Sequence, residues 1–351
     1  MRQKSLSRQL TVGALTTSAT LLIAGCGAAS SNNDTRAAAP TEDCESLKGK
    51  TISLVVPFSP GGGYDSYARL IAPDLGKALN AKVIVKNEPG AGGLVAINGI
   101  VKAKGDGTEI AIMNGAGTAA AVLAEAEGAS FSLDDLSYIG RVGENNTVLV
   151  TAETSSYETW KDVEESDGFR FGSSGRGSSD YITAALLIDA FGLKNSEIVT
   201  GFGGQSEVEL ALLQGNVDGL AGPADSRRAG IASGEQIPLL SVAPERVPEA
   251  PDTRVFSELD LSERQDLLLN AHQTVNELGR PLVGPADMDP TALECLRGAL
   301  ETIAEDEKLL AEADKQFRPI SYVSGKDLED DVIARIKDLP EEYLSVLKQS
   351  F

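Results

Sequence analysis

Short apolar runs alternate along the chain with stretches in which apolar positions recur every three or four residues, and this predicts an α/β protein built on parallel sheet. The first unit sets the pattern. Ile52–Val56 reads as a strand; Tyr67, Leu70, Ile71, Leu75, Ala78 and Leu79 then mark one face of a helix over about Tyr64–Leu79, and Val83–Val85 returns to strand. Further strands are expected at Glu109–Met113, Tyr138–Val142, Thr147–Thr151, Phe169–Phe171, Glu197–Thr200, Val217–Leu220, Ile237–Val242, Pro281–Pro285 and Ile320–Val323. Helices are expected to end near Lys104, Glu127, Glu165 and Ser233, and to span Asp180–Phe191, Glu207–Gln214, Thr291–Ile303, Glu305–Gln316, Gly325–Ile336 and Leu339–Leu347. The helix ending at Glu165 is given a capping box from Ser155 to Glu158. Pro73 falls inside the first helix, where it should bend the axis.

About 310 residues exceed one typical core, so two lobes are the default. The pattern places residues 44–145 with 270–351 in a first lobe and 146–269 in a second. Two crossings favour a hinged pair with a cleft between.

The first residues change the picture of where the chain works. Arg2, Lys4 and Arg8 precede the apolar run Leu10–Ala24, an export signal over residues 1–25 that is too short for a membrane span. Ile23-Ala24-Gly25-Cys26 resembles the lipobox of bacterial lipoproteins, in which Cys26 takes a lipid; residues 26–43 then form a small, polar tether. With Cys26 lipidated, Cys44 and Cys295 are left in an oxidising compartment, as a disulfide or as two separate buried thiols. Two distant cysteines and a single histidine, His272, assemble no zinc site, so no metal is expected. A formal net charge of −21 argues against nucleic acid and against adhesion to anionic headgroups, leaving the lipid on Cys26 as the membrane contact.

Three Gly/Ser-rich loops each follow a strand and precede a helix: Ser59–Asp65, Gly172–Ser179 and Gly201–Ser206. In open α/β sheets such loops bind ligands, and main-chain N–H groups can hold an anion without any basic residue. The candidate ligand residues are Phe58, Ser59, Gly61, Gly62, Gly63, Tyr64 and Asp65 from the first lobe and Ser173, Ser174, Gly175, Gly177 and Ser178 from the second. Phe202, Gly203, Gly204 and Gln205 come from the third loop, and Asn114 and Asp225 from two more strand ends. Asp65 either caps its helix or meets a ligand's hydroxyl or ammonium group. Arg176 pairs with a ligand carboxylate, with Asp180 or with solvent.

Enzyme signatures mostly fail. Cys44 stands where a Walker loop ending at Gly49-Lys50-Thr51 needs glycine, no G-x-S-x-G surrounds Ser174, and His272 lies outside the strand-end loops. Gly115-Ala116-Gly117-Thr118-Ala119-Ala120 fits G-x-G-x-x-A after a strand, and it keeps open the alternative of a nucleotide- or phosphate-using enzyme.

Taken together, Pro57-Phe58 with Gly61-Gly62-Gly63 and Asp65, Asn87 with Pro89-Gly90-Ala91-Gly92-Gly93, Asp106-Gly107-Thr108, Gly172-Ser173-Ser174-Gly175 and Gly203-Gly204 with Asp218 resemble the extracytoplasmic solute receptors of the tripartite tricarboxylate transporter family, also called the Bug family. The resemblance spans about Gly49 to Arg335. It implies a two-lobed periplasmic-binding-protein fold of type II character with the ligand cleft between lobes. It also implies a monomer that is no enzyme, needs no cofactor, and passes a small organic carboxylate to a large and a small integral-membrane subunit. The sequence departs from the family where Tyr181, Thr200-Gly201-Phe202 and Arg176 stand, all on the second lobe's side of the cleft.

Overall fold

The computed structural model describes residues 44–351; the leader, Cys26 and the tether lie outside the described residues. The first lobe begins with β1 (Thr51–Val56), α1 (Gly63–Ala78), β2 (Lys82–Asn87), α2 (Leu94–Val101), β3 (Glu109–Ile112), α3 (Gly115–Leu123) and β4 (Leu136–Arg141). The second holds β5 (Thr147–Ala152), α4 (Trp160–Glu164), β6 (Arg170–Gly172), α5 (Ser179–Phe191), β7 (Glu197–Val199), α6 (Gln205–Leu213), β8 (Leu220–Pro223), α7 (Ala224–Ser233) and β9 (Gln236–Val242). Helix α8 (Glu263–Asn276) leads back to β10 (Pro281–Pro285), α9 (Pro290–Ala304), α10 (Glu307–Lys315), β11 (Val323–Ser324), α11 (Gly325–Asp327), α12 (Ile333–Lys337) and α13 (Glu341–Ser350).

The sheets are less parallel than the pattern suggests. The first lobe's sheet runs β11-β4-β10-β3-β1-β2, with β1 parallel to β2 and β3 but β10 antiparallel to β3 and β4. The chain path explains this: β10 starts where the chain re-enters from the second lobe, at the end of the sheet where β4 left it. In the second lobe β5 pairs antiparallel with β8 and β9, and β6 pairs parallel with β7. Strand β1 is buried from Leu54 to Val56, whereas β2 points Lys82 and Lys86 to solvent, a charge pattern suited to a sheet edge.

One local expectation changes. Helix α4 is capped by Thr159 and Asp162, while Ser155 instead accepts from the Tyr157 N–H, so the turn before Tyr157 delays the helix. Pro73 does lie inside α1, but both it and Arg69, whose carbonyl loses its helical donor, are exposed to water.

Each lobe has its own apolar cluster, one around Leu54, Ile71 and Leu296, the other around Val148, Val208 and Leu220. A third cluster joins the lobes: Leu94 and Ala119 from the first, Ile182 and Leu186 from α5, Leu268 and Val275 from α8, and Tyr343 and Leu347 from α13. Within it His272 contacts Thr183 Oγ1 at 3.0 Å and the Tyr343 hydroxyl at 2.9 Å, and burial depresses its pKa to about 4. Cys44 and Cys295 form a disulfide that ties the first described residue to α9 across 251 positions.

Candidate functional site

The cleft is built where helices begin. Strand β1 ends at Val56 and runs into Pro57-Phe58, and Gly62, in an extended conformation, opens α1 with no side-chain cap. The first-turn N–H groups of Gly63 and Tyr64 therefore have no helical acceptor, and no side chain or loop carbonyl among the described residues takes them. Across the cleft α6 and α7 start likewise uncapped, at Gly204 and Pro223; on the first lobe's side α3 starts at Asn114, whose Oδ1 accepts from the Gly117 N–H. Phe58, Gly62, Gly63, Tyr64, Asn114, Ser174, Gln205, Pro223 and Ser226 enclose one inner cavity among these four helix starts. Partial positive charge from both lobes thus converges on one small space. The cavity is narrow: the centre of a water-sized sphere can move through only about 10 Å³ of it, room for roughly one water. An acid larger than one small group must reach the adjoining groove or part the lobes.

Tyr64 is the donor of greatest interest. It is 7% exposed, its ring packs on Phe58 at 5.0 Å, and its hydroxyl donates to no described residue. Burial pushes its pKa up, which keeps the phenol protonated and able to donate. Behind it lies Arg280, 1% exposed, with its guanidinium carbon 5.3 Å from the Tyr64 ring and 4.7 Å from the Tyr67 ring. Burial opposes that charge, but Asp225 at 2.9 Å, together with the neighbouring tyrosine oxygens, outweighs it and holds the pKa above the ordinary arginine value. Asp225 also accepts from the Tyr67 hydroxyl at 3.0 Å, so this ion pair clamps α7 to the first lobe.

Seven of the candidate residues meet in the cavity: Phe58, Gly62, Gly63, Tyr64, Asn114, Ser174 and Gln205. Gly175, Phe202 and Gly203 instead line the outer groove of about 520 Å³, which adjoins the cavity at Ser174 and includes Arg176. Asp65 turns inward on its own loop, accepting from the Gly61 N–H at 2.9 Å, Asn87 Nδ2 at 2.9 Å and Arg69 Nε at 3.0 Å. Burial raises its pKa, but those hydrogen bonds outweigh burial and hold it below the ordinary value. Ser59 donates its N–H across the cleft to Gly203 O at 2.9 Å, and Gly204 packs on Phe58. Ser173 and Ser178 hydrogen-bond to Asp180, and Gly177 packs against the first lobe.

Asp180 is the largest omission from the sequence reading, with Arg280, Pro223 and Ser226 after it. It is fully buried, and it accepts from Ser173 Oγ at 3.2 Å, Ser174 Oγ at 2.9 Å, Ser174 N–H at 3.1 Å, Tyr181 N–H at 2.9 Å and the Ser178 hydroxyl. Burial raises its pKa against those hydrogen bonds. Arg176 does not pair with it: the arginine is exposed and meets the main chain of Phe351. Tyr181 packs on the Phe351 ring, away from the cavity. A further hollow of about 280 Å³ is lined by Glu144, Asp225 and Glu249, whose charge disfavours an acid.

The glycine motif at Gly115–Ala120 has no space for a pyrophosphate. An ideal Cβ on Gly117 would stand 2.4 Å from Gly177 O, because the backbone of the second lobe fills that turn. Gly115 N–H donates to Gly279 O at 3.0 Å.

A family model described as the tripartite tricarboxylate transporter family receptor matches residues 67–307. The chain belongs to that family. The receptor is 25% identical to a UPF0065 protein of Agrobacterium vitis over 268 residues, 75% of this chain and 73% of the relative. Among solved structures it resembles the periplasmic binding protein BugD, with a TM-score of 0.71 at 19% identity over 86% of this chain and 97% of that one. MatC of Rhodopseudomonas palustris, solved with bound malate, aligns with a TM-score of 0.69 at 20% identity over 86% of this chain and 98% of that one. The receptor thus has the two-lobed fold of periplasmic binding proteins and a solute-binding role.

Proposed function

We propose that this receptor captures a small organic carboxylate in the inner cavity and, tethered by lipid on Cys26, hands it to the large and small membrane subunits of a tripartite transporter, catalysing no reaction itself. The observation that carries this reading is the meeting of four helix starts, drawn from both lobes, around a cavity with unspent N–H donors. An anion bound there touches both lobes at once, which gives it the differential affinity that closure requires. The malate bound by MatC supports the choice of acid. Among the described residues no helix is long and apolar enough to cross a membrane, and the anchor rests on the run ending at Cys26.

Calorimetry against mono-, di- and tricarboxylates tests the reading. Gly62→Val adds a branched side chain at a cavity-lining position whose extended backbone valine adopts freely, so acid binding should vanish while the fold survives. Undiminished affinity in that variant would refute the cradle. Replacing Cys26 by serine should move the protein from the membrane to the soluble fraction; continued membrane association would remove the lipid anchor from the reading.

A further inference from the structure

We propose that the ligand carries a hydrogen-bond donor, a hydroxyl or an ammonium group, beside its carboxylate, so that 2-hydroxy or 2-amino acids bind in preference to their plain counterparts. This rests on the carboxylate reading of the same cavity.

Main-chain N–H groups at helix starts reach the cavity from both lobes, but the hydroxyls that the two lobes bring to it differ in polarity. The first lobe offers donors: the free N–H groups of Gly63 and Tyr64 and the Tyr64 hydroxyl, which donates to no described residue. The second lobe offers two serine oxygens whose hydrogens are already committed. Ser174 Oγ donates to Asp180 Oδ2 at 2.9 Å and Ser226 Oγ donates to Asp225 Oδ1 at 3.0 Å. A serine hydroxyl has one hydrogen and two lone pairs, so what these two present to the cavity is acceptor only. Neither receives a hydrogen bond from any described residue.

The carboxylates that fix these hydroxyls are held in turn. Two main-chain N–H groups and two further serines donate to Asp180, while Arg280 and Tyr67 hold Asp225. A ligand carboxylate laid against the serine lone pairs would be repelled, so it turns to the helix-start N–H groups and the Tyr64 hydroxyl, and whatever lies toward the serines must donate. The faces are close: an ideal Cβ on Gly63 would fall 2.3 Å from Ser226 Oγ. Neighbouring atoms of one small molecule can therefore satisfy both. The Gln205 amide carries both polarities and does not decide between them.

Calorimetry on the unaltered protein compares propionate with 2-hydroxypropionate, and succinate with 2-hydroxysuccinate and 2-aminosuccinate. The donor-bearing members should bind at least about tenfold tighter, because a plain acid leaves the two serine acceptors unpaired. Either order between the hydroxy and amino members upholds the inference and names the donor. In Ser174→Ala, Ser226→Ala and the double variant the ratio should shrink, to below about threefold in the double. Equal affinities within each pair, or a preference that survives the double variant, overturn this inference while leaving the carboxylate reading intact. Failure of all five acids to bind overturns both.

Discussion

Two glycine-rich loops that look alike in sequence do opposite things. The first-lobe loop around Gly62 keeps its helix-start N–H groups free, and its acid, Asp65, braces the turn from behind with help from Asn87 and the half-exposed Arg69. The second-lobe loop, residues 172–179, wraps its serines around the buried Asp180 and packs its glycines onto the first lobe. An ideal Cβ on Gly92 would stand 2.5 Å from Gly177 N, and one on Gly177 would stand 2.5 Å from Leu94 Cγ. In the first loop glycine leaves the helix-start N–H groups uncovered, and in the second it allows contact between backbones. Only Ser174 of the second loop reaches the cavity.

The sharpest way to break this contrast is a matched pair of valines. Gly177→Val has no room against Leu94 and the Ala91 carbonyl and should cost roughly 3 kcal/mol or more in urea denaturation. Gly62→Val meets its nearest atom, Ser206 Oγ, at an ordinary 3.8 Å and should cost less than about 1 kcal/mol. Equal losses would erase the distinction.

A pH titration probes the helix that the second loop opens. With its folded pKa near 4, below the unfolded value of about 6.5, His272 binds a proton more readily in the unfolded chain. Stability should therefore fall as pH drops from about 6.5 to 4, by about 3 kcal/mol from this group, and be regained as pH rises. Carboxylates also titrate in part of this range, so the measurement is the difference between wild type and His272→Gln, whose amide cannot take the proton. A difference independent of pH would remove the histidine from the account.

Next in size are the two acids. Asp180→Asn should cost about 2 kcal/mol, since several buried donors lose part of their charge-assisted acceptor. Asp65→Asn should cost about 1 kcal/mol, because Arg69 can turn to water. Denaturation midpoints in the reverse order would mean the first loop is the more rigid one. Smallest of all, Arg176→Ala should shift stability by less than about 0.5 kcal/mol and acid affinity by less than about threefold. A larger loss of affinity would bring the outer groove and its arginine into the binding site.

The first loop was legible because its cues are local: a strand, two prolines, three glycines and an acid in sequence fix both the turn and the helix start. The second loop's position between strand and helix was equally legible. Its packing was not, since the groups it touches, Gly92, Leu94 and Gly117, lie far away in the chain. Asp180 directly after two serines reads as part of a helix cap and gives no sign that it will be buried. Arg280, alone between Gly279 and Pro281, belongs to no periodic pattern. Helix α8 escaped notice although Ser262 and Gln265 form its capping box, because its apolar residues cluster in Leu267-Leu268-Leu269 and blur the helical period. The reversal of β10 follows from where the chain re-enters the lobe, which no pattern within the strand encodes.

The Cys44–Cys295 bond has a practical corollary. Everything between these two residues, including all of the second lobe, is a closed covalent ring. A protease that nicks the molecule once, at any point in that ring, leaves the pieces joined. On a gel the nicked protein should run as one band until a thiol is added, and only then as two.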